Sequence, residues 1–185
     1  MNTNVKIAIK LVNQHHQNVT QDINQWLNNE LFTWNWWVLL AFALLPWMVW
    51  FKFKERKILI ESILVGTIAI IPTTYLDAIG LDLKFWTYPV QFIPLGARAL
   101  PFDMSMVPVA YMLLYQFFKT WRAFIIGLLI MATLFAFIGE PVSKAMNLIY
   151  YLKWKYYYSF FYYIILGLFI KWFVNKCRDI NKNNI

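Results

Sequence analysis

An all-α polytopic transmembrane bundle, with about five spanning helices behind an N-terminal interfacial amphipathic helix, is the fold class that three features of the sequence predict. Of 185 residues, 61% are hydrophobic and 14% charged, whereas an ordinary soluble domain is roughly 45–50% apolar and about 25% charged. The apolar residues gather into nearly uncharged runs long enough to cross a bilayer. Lys and Arg gather at the ends of those runs, as topology determinants do, and not along one helical face. That placement excludes nucleic acid as the partner of the net charge of +8; the lipid bilayer is the expected one.

Residues 1–33 form the first unit. Val5, Ile9, Val12, Ile23 and Trp26 alternate with Asn, Gln and Lys, the pattern of an amphipathic helix lying on the membrane surface. His15 and His16 are adjacent, but no further His or Cys stands nearby, so neither a metal nor a cofactor is expected. The transmembrane unit covers 34–175. Its first span, 34–51, opens with Trp34, Trp36 and Trp37 and closes with Trp47 and Trp50, aromatic anchors at both interfaces, with a kink expected at Pro46. A basic turn of Lys52, Lys54, Arg56 and Lys57 leads into the second span, 58–80, where Glu61 is expected to pair with Arg56 or Lys57. Residues 81–100, rich in Pro, Gly and aromatics, read as an interfacial or re-entrant loop. The third span, 100–118, is interrupted by Pro101, Asp103 and Pro108, and Asp103 or Ser105 can cap its start. The fourth, 121–138, should stop or bend at Gly139-Glu140-Pro141. The fifth, 156–174, is followed by a polar cytoplasmic tail, 176–185.

Ten of the 17 Lys and Arg residues fall on the side of the Lys52–Lys57 turn. That side is therefore expected to be cytoplasmic, which puts a multi-pass chain in the cell membrane with its N-terminus outside and its C-terminus inside. The first thirty residues lack the apolar core of a cleavable signal peptide, so the first span is expected to direct insertion. The single Cys177 allows no intrachain disulfide and no Cys-based metal site.

With five spans, Asp77, Asp103 and Glu140 all fall at the outer face. Ionisable groups at membrane depth are costly, so they usually face the bundle interior and mark function. Arg98 is the expected ionic partner of these acids, Trp86 and Tyr88 can roof the site, Thr73 and Thr74 lie one turn before Asp77, and Tyr111 lies two turns below Asp103. These residues outline a ligand pocket for a small amphiphile, a cation or a membrane-protein partner. Each acid also has a plainer reading: Asp103 as a helix cap, Glu140 as an interfacial residue, Asp77 hydrogen-bonded to a loop. A proton or cation pathway through Asp77 is disfavoured, because the fourth span offers only Thr133 between its ends.

The strings Leu76-Asp77-Ala78-Ile79-Gly80, Trp86-Thr87-Tyr88-Pro89, Leu100-Pro101-Phe102-Asp103 and Phe137-Ile138-Gly139-Glu140-Pro141 resemble a family of small multi-pass membrane proteins of endospore-forming Gram-positive bacteria, which carries no established activity. Asp77, Trp86, Tyr88, Pro101 and Asp103 also match, in order, a pattern in the membrane-bound lycopene cyclase domains: an acid at a helix end, a Trp-x-Tyr loop, and a Pro-x-acid-acid motif. Met104 stands where the second adjacent acid belongs. This resemblance implies isoprenoid cyclisation, with Asp103 or Glu140 as proton donor and Trp86 or Tyr88 stabilising a carbocation.

Overall fold

The computed structural model describes residues 2–183. Helix α1 (Thr3–Gln25) is capped by the Asn2 side chain and passes through a π-helical turn, Trp26–Glu30, into the bundle. Helices α2 (Trp34–Phe53), α3 (Leu59–Asp82), α4 (Val107–Phe117), α5 (Trp121–Leu134), α6 (Glu140–Ala145) and α7 (Tyr156–Asn183) follow. Four stretches are long and apolar enough to cross a membrane: Trp34–Phe53, Arg56–Asp82, Trp121–Ala145 and Tyr156–Ile180. Most side chains on these stretches are not buried within the protein, which suits helices that turn an apolar flank to lipid.

The third predicted span, 100–118, differs from the other four in kind. It consists of a π-helical turn, Phe102–Met106, and then the 11-residue α4. Helix α4 buries Val107, Pro108, Val109, Tyr111, Met112, Leu114, Tyr115 and Gln116. A helix surrounded by protein is relieved of the need to be apolar throughout, which is why Asp103, two prolines and Gln116 are tolerated there. Pro108 has no N–H for the carbonyl four residues earlier, and the Trp47 indole donates to that Met104 carbonyl instead, at 3.1 Å. Gln116 plays a similar part at the other end, donating to the Phe53 carbonyl at 2.6 Å and accepting from the Glu55 N–H at 3.0 Å. The core forms where α4 meets Val65 and Ala69 of α3, Phe124 and Leu128 of α5, and Leu166 and Ile170 of α7. A Cβ at Gly66 would stand 2.7 Å from Met112 Sδ, so α3 and α4 approach closely because position 66 has no side chain.

Several boundaries move. The fourth span does not stop at Gly139; a π-helical turn, Phe135–Gly139, carries it into α6, and Pro141 sits just past that turn, which accommodates the proline within a continuous helix. Residues 176–183 are not a separate tail but the last turns of α7. Neither Asp103 nor Ser105 caps a helix, and both side chains are buried with an oxygen left unpaired. Glu61 forms no ion pair among the described residues; Lys119 pairs with Glu55 at 2.7 Å instead. Residues 81–100 are not wholly irregular, since α3 runs to Asp82 and strand β1 (Trp86–Thr87) pairs antiparallel with β2 (Tyr150–Tyr151), placing Trp86 opposite Tyr151.

Helix α1 buries no residue and is tied down near its C-terminus. Arg98 bonds Asp22 at 2.6 Å, the Trp26 indole donates to the Gln91 carbonyl at 3.0 Å, and the Glu30 carboxylate accepts the Gln91 N–H at 2.8 Å. Burial raises the pKa of Glu30 despite the opposing pull of the Gln91 bond and Arg98. With the folded-state pKa above the unfolded one, this junction is most stable with the carboxyl protonated and weakens as pH rises through the raised value. Hydrogen-exchange protection of the Gln91 amide is expected to fall as pH rises through the raised Glu30 value, and Glu30→Gln should abolish that dependence. Protection that does not change with pH in the parent protein would refute this account.

Candidate functional site

On α3, Thr73, Leu76, Asp77 and Gly80 share one face by the i, i+3, i+4 spacing of a helix. Asp77 is buried, and its Oδ1 accepts two hydrogen bonds, from Trp86 Nε1 at 2.8 Å and from the Tyr88 hydroxyl at 2.5 Å. The loop delivers both donors because β1–β2 pairing holds it, reinforced by N–H bonds from Leu152 and Lys153 to the Phe85 carbonyl at 2.8 and 3.0 Å. The Trp86 indole fits against α3 only because position 80 is glycine; a Cβ there would overlap the ring.

Asp103 enters from the π-helical turn before α4 and is 4% exposed. Glu140 enters from the first residue of α6, just past the π-helical turn that re-aims the fourth helix. Asp77, Asp103 and Glu140 line one cavity of about 140 Å³, walled mainly by aromatic rings: Trp86, Tyr88, Phe102, Phe135, Tyr151, Trp154, Tyr162 and Tyr163. Asp103 Oδ2 and Glu140 Oε2 have no hydrogen-bond partner. No Lys, Arg or His lines this cavity, and among the described residues no group of three or more His, Cys, Asp and Glu side chains is placed to hold a metal ion.

No protein-family model matches the chain, and neither does any curated protein or solved structure.

Of the residues predicted to form the site, Asp77, Trp86, Tyr88, Asp103 and Glu140 line the cavity, with Thr73 beside them. Arg98 does not: its guanidinium is taken by Asp22. Tyr111 does not either; its buried hydroxyl donates to the Tyr163 carbonyl at 2.7 Å as a bond of the core. Sequence reasoning missed Phe135, Tyr151, Trp154, Ser159, Tyr162 and Tyr163, all lost among abundant aromatics. No local spacing marks them: Trp154 Nε1 reaches Ser159 Oγ at 2.8 Å across a five-residue separation that is neither helical nor strand-like, and the Tyr162 hydroxyl pairs with Thr73 at 2.7 Å from 89 positions away.

Two tyrosines at the loop wall have their hydroxyl pKa raised well above the usual value. Burial is the main cause for both, followed for Tyr88 by the charges of Asp77 and Asp103, and for Tyr151 by the charge of Glu140. Both therefore remain protonated donors at any physiological pH. Outside this wall lies a wider groove of about 770 Å³, bordered by His15, Val19 and Asp22 of α1 and by Lys84 and Arg98. Asp77 and Trp86 line both spaces, so this hydrogen-bonded pair is the partition between groove and cavity.

Proposed function

We propose that this is a multi-pass protein of the cell membrane that binds a small amphiphile through a cationic head seated in the acid-lined cavity. One observation carries the reading: three carboxyl groups share an aromatic-walled space with no cationic side chain in its lining. Buried charge requires a partner. An organic cation supplies the missing charge, and Trp and Tyr faces attract it by about 0.5–2 kcal/mol per well-placed ring. Size sets the head. A cavity of about 140 Å³ is close to the engineered cavity of about 150 Å³ that admits benzene, so it takes a group of six or seven heavy atoms and leaves an aliphatic tail outside. Counting the buried 100–118 segment as a third crossing beside the four long apolar helices, the Lys and Arg excess on the far side supports an outer location for the site, an N-terminus outside and a cytoplasmic C-terminus.

The test is calorimetric titration of the protein in lipid nanodiscs with hexyltrimethylammonium and with its neutral carbon isostere, 2,2-dimethyloctane. The cation is expected to bind at least about tenfold more tightly, a difference of about 1.4 kcal/mol. Asp103→Asn and Glu140→Gln, which keep shape and remove charge, are each expected to lose about that factor. Equal binding of the isostere would refute the reading.

A second reading rests on the unpaired Asp103 oxygen facing a space sized for one ring. As the resemblance to membrane-bound lycopene cyclases implies, such an acid can protonate a terminal double bond while Trp86 and Tyr88 stabilise the cation formed. Conversion of an acyclic polyene to a product with a ring at its end would favour it.

A further inference from the structure

The cavity's polar atoms are not equally engaged. The Trp86 indole and Tyr88 hydroxyl are bonded to Asp77, the Trp154 indole to Ser159, and the Tyr162 hydroxyl to Thr73. Two carboxyl oxygens have no partner, Asp103 Oδ2 and Glu140 Oε2; the Glu140 carboxyl is also approached by the Ser159 and Tyr151 hydroxyls, so Asp103 is the less satisfied of the two acids. They come from different elements, the turn before α4 and the start of α6, yet border the same space. Asp103 is 4% exposed, so bulk water does not meet its need.

We propose that the ligand's head is a protonated primary or secondary amine that donates N–H bonds to Asp103 Oδ2 and Glu140 Oε2. This rests on the reading of the cavity as a cation site and narrows it. A quaternary ammonium supplies charge but no N–H, and would leave both oxygens unpaired. Cation–π attraction favours either head about equally, so hydrogen bonding decides between them. Asp77 takes no direct part: its Oδ1 is occupied by the partition, which makes it a positioning residue. The same chemistry is offered by a free alkylamine and by the ethanolamine head of a membrane lipid.

Hexylammonium and its mono-, di- and trimethylated forms, titrated against the parent protein in nanodiscs made of choline lipids, separate these ideas. Affinity is expected to fall with each methyl group, by about tenfold in total from hexylammonium to hexyltrimethylammonium. In Asp103→Asn and Glu140→Gln the slope should flatten, while the methylation series on the parent protein needs no variant at all. A short-chain phosphatidylethanolamine that competes with hexylammonium assigns the head to a lipid; failure to compete, with hexylammonium still preferred, assigns it to a free amine. Both outcomes support the amine class. If the trimethylated form binds as well as hexylammonium and both exceed the neutral isostere, this inference fails and the cation reading stands; if neither exceeds the isostere, the cation reading itself fails.

Discussion

Replacing Lys171 by methionine is expected to lower the unfolding temperature of the protein by about 10 °C. Lys171 sits on α7, 1% exposed, with Nζ donating to the carbonyls of Phe118 at 2.8 Å, Lys119 at 3.1 Å and Thr120 at 3.5 Å. These carbonyls lie in the short link between α4 and α5, just past the end of α4 that carries partial negative charge. The ammonium also lies 4.3 Å from the Phe124 ring centroid. Methionine keeps the length and apolar stem but supplies no donor, so the Phe118 and Lys119 carbonyls lose a charged partner, a loss of roughly 1.5–3 kcal/mol, while the Thr120 carbonyl keeps the Phe124 N–H. Taking about 3 kcal/mol in all, and about 2–4 °C per kcal/mol for a chain of this size, gives the expected shift. Thermal unfolding followed by tryptophan fluorescence in detergent measures it. A shift under about 2 °C would mean that water reaches those carbonyls when the lysine is gone.

The convergence of Asp77, Asp103 and Glu140 was legible because it depends only on where apolar runs end. Three helix ends at one level bring their terminal residues together whatever the packing details. The partner of Arg98 was not legible, since Asp22 lies 76 positions away on a helix whose docking no local pattern encodes. Pairing of Trp86–Thr87 with Tyr150–Tyr151 was equally hidden, because two-residue strands have no periodicity to read. The π-helical turns at 102–106 and 135–139 were invisible for a different reason: each inserts one residue into a helix without changing its hydrophobic pattern, yet re-aims the acid that follows or sits within it. At Gly139-Glu140-Pro141 the sequence left two outcomes open, a stop or a bend; the helix does not stop, and the irregularity takes the form of a π-helical turn just before the proline.

The site joins two kinds of element. Asp103 and Glu140 stand on helical turns packed into the bundle, whereas Trp86, Tyr88 and Tyr151 arrive on loops held together by a few backbone bonds. Side chains on the bundle are placed by burial of large apolar surfaces, so their geometry survives small perturbations. The loop wall depends on specific contacts with α3, and the closest of them is at Gly80.

Gly80→Ala tests that dependence and is expected to weaken ligand binding by at least about tenfold while leaving the helices intact. On propensity alone this change inside α3 should stabilise the helix by about 1 kcal/mol. The steric term opposes it and wins, because the new Cβ would overlap the Trp86 indole. That ring cannot swing aside freely: it is bonded to Asp77, meets Trp154 edge-on at 5.0 Å between centroids, and belongs to the β1–β2 pair. Displacing it breaks the partition between groove and cavity and leaves Asp77 Oδ1 with the Tyr88 hydroxyl as its one remaining donor. Affinity for hexylammonium should fall by at least about tenfold, as for loss of a buried bond of about 1.4 kcal/mol. Combining Gly80→Ala with Trp86→Ala should recover the helix stability but not the binding. If Gly80→Ala alone binds as the parent does, the Trp86–Asp77 partition is not part of the site.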